Sequence, residues 1–130
     1  MLHITAWQRE VVRRLRGSNP QLPAEGDWPE RARSAASWEE TKAGLGASYA
    51  ELLVALRELP EERLIKQVGS ERDRLLGVGV TNGATVLGVI QHNAYHGGQI
   101  ALIRKLLASY RHRTCGFTRA RAASLISFAW

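Results

Sequence analysis

The stretch Ile90-Gln91-His92-Asn93-Ala94-Tyr95-His96-Gly97-Gly98-Gln99-Ile100 lies inside an apolar run from Val86 to Leu107. At about 100° per residue, Thr85, Val89, His92, His96, Gln99, Ile103 and Leu107 fall on one helical stripe narrower than a right angle. His92 and His96 stand one turn apart on that stripe, roughly 6 Å along the axis, with both rings tilted toward the helix N-terminus. This is the spacing of a helical two-histidine metal clamp. A core-facing polar group costs roughly 1–3 kcal/mol if it lacks a partner. Metal coordination is the economical reason for imidazoles in a greasy stripe.

Thr81-Asn82-Gly83 supplies the N-terminal cap of this helix, and the pattern carries it to about Ser109. Its opposite side, with Leu87, Ile90, Ala94, Gly97, Gly98 and Ala101, is apolar or small, so the helix is expected to be buried on both sides. Adjacent glycines inside a helix are tolerable where another backbone comes close. A homodimer packed through this side is the expectation.

Leu2 to about Arg16 places Ile4, Trp7, Val11 and Leu15 on one face of an amphipathic helix, and His3 falls on or beside that face. Gly17 to Ala36 contains Pro20, Pro23, Gly26 and Pro29 and reads as a long loop pinned by Trp28. Ser37-Trp38-Glu39-Glu40 fits a capping box for a second helix with the stripe Leu45, Tyr49, Leu52, Leu53 and Leu56, stopping before Pro60. Trp7 and Tyr49 fit the core by their spacing. A short helix from Pro60 ends near Gly69, and residues 70 to 80 admit either an extended loop or a weak strand pair.

A chain of 130 residues makes one domain, read here as residues 1–110 followed by a basic tail, 111–130, that is either a short helix or disordered. Of the 18 basic residues, Arg111, Arg113, Arg119 and Arg121 lie in that tail, which has no acid; residues 1–110 carry 14 basic and 12 acidic groups. The net charge of +6 could suggest a nucleic-acid partner, but the body is almost balanced and the tail has no aromatic interleaving, so none is expected. The longest apolar stretch is broken by His92, Asn93, His96 and Gln99, so no membrane span is expected. The expected compartment is the cytoplasm. The single Cys115 excludes a disulfide framework and has no activating base nearby in sequence.

Zinc in enzymes usually takes three protein ligands and leaves one position open. Of the four histidines, His112 lies in the polar tail, so His3 is the natural third ligand beside His92 and His96. Three neutral imidazoles admit Zn, Ni, Fe(II) or Mn. Gln99 is the candidate contact behind the ligands or to substrate, ahead of Tyr95 and Asn93. No Ser-His-Asp, paired-carboxylate or phosphate-loop motif competes with this site.

Leu2-His3-Ile4-Thr5-Ala6-Trp7 together with Ile90 to Ile100 resembles the DinB-like superfamily of metal-binding four-helix bundles, over about residues 1–108. The resemblance implies an all-α, up-down helical bundle with the metal on His3, His92 and His96. In the family the first histidine sits on the second helix, so the first family helix is missing from the pattern here, and a groove results. A start lying upstream, the segment Phe117 to Trp130, or a second subunit would each account for it. The resemblance also implies a metal-dependent enzyme, a thiol transferase or a hydrolase, in which the metal activates a low-molecular-weight thiol or water against a small-molecule substrate. The alternative is a non-catalytic metal-binding module for dimerisation or partner binding.

Overall fold

A computed structural model describes residues 1–30, 34–69 and 79–125, with side chains up to 110. Among the described residues there are three α-helices, α1 (Leu2–Leu15), α2 (Ala35–Glu58) and α3 (Asn82–Leu125), a 3-10 turn at Glu61–Arg63, and no strand beyond an isolated antiparallel bridge between Gln67 and Thr81. The all-α expectation holds. The chain divides after Asn93 into two units: Met1–Asn93, which holds α1, α2 and the first turns of α3, and Ala94–Trp130, which holds the rest of α3. No described helix is long and apolar enough to cross a membrane.

The core lies in the first unit, where Val11, Val12 and Leu15 of α1 meet Leu52 and Ala55 of α2 and Val89 of α3. The helix that periodicity assigns to Leu2–Arg16 ends at Leu15, and the chain turns through a Schellman motif: Ser18 N donates to Arg13 O and Gly17 N to Arg14 O. Gly17 takes the left-handed conformation this motif needs (φ 97°).

α2 starts three residues earlier than its expected cap. Ser34 and Ser37 exchange side-chain-to-backbone bonds in a reciprocal box, so Ser37 is the N3 member and Glu40 has no part in the cap. Its inward face also differs from the leucine stripe: Thr41, Ser48, Leu52 and Ala55 are buried, while Tyr49 is 51% exposed. The reason is a buried polar contact. Ser48 Oγ donates to Gln8 Oε1 at 2.7 Å, and this small residue occupies the place that a tyrosine one position on would overfill.

The loop between α1 and α2 is laid along α1 by polar ties. Arg9 Nη1 meets Glu25 Oε1 at 2.6 Å, Arg13 Nη2 donates to Asn19 O, Arg14 Nη2 donates to Gln21 O, and Gln21 N donates to Glu10 Oε1. Toward α3, the short helix expected from Pro60 to Gly69 is only the 3-10 turn, with Pro60 as its cap. Thr81 Oγ1 accepts from Ala84 N, as the Thr81-Asn82-Gly83 cap predicts, and Asn82 Nδ2 donates to Arg63 O and Lys66 O. Most of the undecided segment, residues 70–78, lies outside the described residues.

α3 continues past Ser109 to Leu125. The apolar stripe ends near Leu107, but no proline follows, and Arg119-Ala120-Arg121-Ala122-Ala123 consists of strong helix formers. Its second apolar side is not covered within the first unit: Leu87 is 63% and Ile90 55% exposed. The side chains of His112 and Cys115 lie outside the described ones.

Candidate metal centre

His3 sits in the first turn of α1 with a side chain 11% exposed, and the loop holds it from two directions. The Asp27 carbonyl oxygen lies 2.5 Å from Nδ1. A carbonyl only accepts, so Nδ1 carries the proton and Nε2 presents its lone pair. The Trp28 ring stacks on the imidazole, with centroids 4.0 Å apart and planes within 10°. Trp28 is thus a pin, as the loop pattern suggests, although it clamps His3 and is itself 70% exposed. Asp27 Oδ1 accepts from Trp7 Nε1 at 2.6 Å, which ties the loop to the next turn of α1.

The lone pair of His3 Nε2 faces Nε2 of His92, 2.9 Å away and 89 positions along the chain. Two imidazole lone pairs at this distance repel unless a proton or a cation lies between them. Two nitrogens bound to one ion at about 2.0–2.1 Å stand roughly 3 Å apart. His96 follows one turn further along α3, in the second unit. The pair in the first unit thus fits a divalent ion: two imidazoles, one of them held in the required tautomer by a backbone carbonyl.

A family model of the DinB superfamily matches residues 1–100. The chain belongs to the DinB superfamily. No curated protein and no solved structure matches it.

Gln99 is exposed one turn beyond His96. Tyr95 is 63% exposed, with its ring edge against His96 at 5.1 Å between centroids. Asn93 is half-buried, and its Oδ1 is buried with no hydrogen-bond partner among the described residues. Trp7, expected in the core, instead lines a cleft of about 440 Å³ beside the histidines, between α1 and the start of α3. Asp27, Trp28 and Arg14 carry no periodic signal; a Trp preceded by an acid in a Pro/Gly loop is the only sequence mark of the clamp on His3.

Proposed function

We propose that His3, His92 and His96 hold a divalent metal ion and that this DinB superfamily chain is a metal-dependent enzyme acting on a small molecule by thiol transfer or hydrolysis. The observation that carries the reading is the 2.9 Å approach of His3 Nε2 to His92 Nε2, with the His3 proton held on Nδ1 by Asp27. A divalent ion on neutral imidazoles keeps its full charge and acidifies a thiol or water brought to it. The chain's own residues supply the rest. Asp27 holds the proton of His3 away from the shared side, Trp28 covers the ring, and the cleft walls of Trp7, Val11, Val80 and Val89 give a substrate a largely dry surface beside the imidazoles.

Elemental analysis of the purified protein, and of protein chelated and reloaded with Zn, Ni, Fe(II) or Mn in turn, tests the reading. About one ion per chain is expected; no retained or rebound ion overturns it. Trp28→Ala is expected to weaken metal affinity by about 10–100-fold, the range for loss of a group that orients a ligand. Its effect on the metal-free fold should be small because Trp28 is 70% exposed. Unchanged affinity in that variant, measured by competition with a chelator, would mean that the stack does not orient His3.

The exposed Leu87 and Ile90 favour a second proposal, a homodimer formed through this side of α3. Sedimentation at micromolar concentration reads it directly, and a monomer removes it. A dimer that rebinds no metal would support the non-catalytic module instead.

A further inference from the structure

We infer that the cleft beside His3 and His92 is built for a small apolar carboxylate, with Arg14 holding the anionic group. The inference rests on reading the imidazoles as the reacting end of the cleft. At about 440 Å³ the cleft is in the range of small-molecule sites, and valines and the Trp7 ring make up much of its wall. Asp27 and Arg14 are the full charges that line it. Asp27 is committed to the protein, since its Oδ1 accepts from Trp7 Nε1 and lies 3.3 Å from His3 Nδ1.

Arg14 is different. It is 6% exposed, its Nε is 2.9 Å from Glu10 Oε1, and its Nη2 donates to Gln21 O at 3.1 Å. Among the described residues no group engages Nη1. Glu10 cannot neutralise it fully, because the same carboxylate holds Arg13 Nε at 3.0 Å and accepts from Gln21 N. Two guanidiniums share one carboxylate, so the cluster carries a net positive charge, and Arg14 is its member on the cleft. An apolar wall strengthens the attraction of such a cation for an anion.

The geometry also sets the length of the ligand. Both ends neighbour the Trp7 ring, its centroid 6.4 Å from that of His3 and its centre 5.6 Å from Arg14 Cζ. The imidazole and the guanidinium are therefore at most about 12 Å apart. A carboxylate on Arg14 with a medium-length acyl or arylalkyl chain along Trp7 and Val89 brings its far end to the histidines.

The test titrates the full chain, chelated and metal-loaded, with octanoate and with 1-octanol, followed by calorimetry. Octanoate is expected to bind at least about tenfold tighter than octanol in both forms, since a charge-assisted bond to a buried guanidinium separates them. Chelation removes direct coordination of the carboxylate as the cause. Arg14→Met should bring octanoate down to the level of octanol and leave octanol unchanged. The double variant Glu10→Gln/Arg14→Met, which leaves neither buried charge unpaired, gives the same reading if the single variant does not fold. Equal binding of both ligands by the parent chain overturns the inference, as does a preference that survives loss of Arg14. Metal content is recorded alongside: a preference retained by a chain that takes up no metal supports the anion site and sinks only the enzyme reading.

Discussion

Glu10→Ala is expected to destabilise the fold by about 3–5 kcal/mol, the usual consequence of removing one partner from a buried ion pair. Glu10 is 2% exposed and serves three donors: Arg13 Nε at 3.0 Å, Arg14 Nε at 2.9 Å and Gln21 N at 2.9 Å. Its loss strands the buried Arg14 guanidinium and frees the loop at Gln21. The nearby Arg9–Glu25 pair is as short, at 2.6 Å, but its side chains are 47% and 41% exposed, so Glu25→Ala should cost no more than about 1 kcal/mol. Urea denaturation reads both, the midpoint falling for Glu10→Ala at an unchanged slope. A loss below about 1 kcal/mol for Glu10→Ala would show that solvent replaces the carboxylate and that the cluster is not a buried one. The loop released at Gln21 is the one that carries Asp27 and Trp28, so the variant should also lose hold of His3.

The contrast between Glu10 and Glu25 marks where the sequence is readable and where it is not. Periodicity places α1 to within a residue, because Ile4, Val11 and Leu15 meet a core on the side their spacing predicts. It says nothing of Glu10 and Arg14, whose burial depends on loop carbonyls and amides that have no period. On α2 the start is misplaced by three residues because Ser37-Trp38-Glu39-Glu40 matches the capping-box pattern, whereas the box that forms has Ser34 as its cap and a serine, Ser37, in the place of the usual Glu or Gln. The face of α2 is misread at Tyr49 because a Ser48–Gln8 hydrogen bond makes a polar residue the better core member. His92 and His96 are legible as a local pair. His3 follows only by elimination among four histidines, since no pattern links residues 89 positions apart. The loop groups that orient it could not be found that way: Asp27 acts through its backbone carbonyl, which every residue possesses.

His92→Ala separates the metal from the scaffold most sharply. His92 is half-buried, and in metal-free protein its loss removes one hydrogen-bond partner of His3, a cost of about 1 kcal/mol. In the proposed holoprotein the same change removes one of three ligand nitrogens, which should weaken affinity by more than about 100-fold, beyond the range for groups that only orient a ligand. These two effects read out differently in one experiment. At a metal concentration about 100 times the parent's dissociation constant, binding stabilises the parent by about 2.7 kcal/mol; a variant 100-fold weaker gains only about 0.4 kcal/mol. The metal-dependent rise in unfolding temperature should therefore almost vanish in His92→Ala while its metal-free unfolding stays close to that of the parent. His3→Ala should behave alike. If either variant gains the same stabilisation from metal as the parent, the ion is bound elsewhere and the 2.9 Å contact is an ordinary imidazole hydrogen bond. A variant that is severely destabilised without metal would instead make the histidine pair part of the scaffold, with the closed end of the cleft as its purpose.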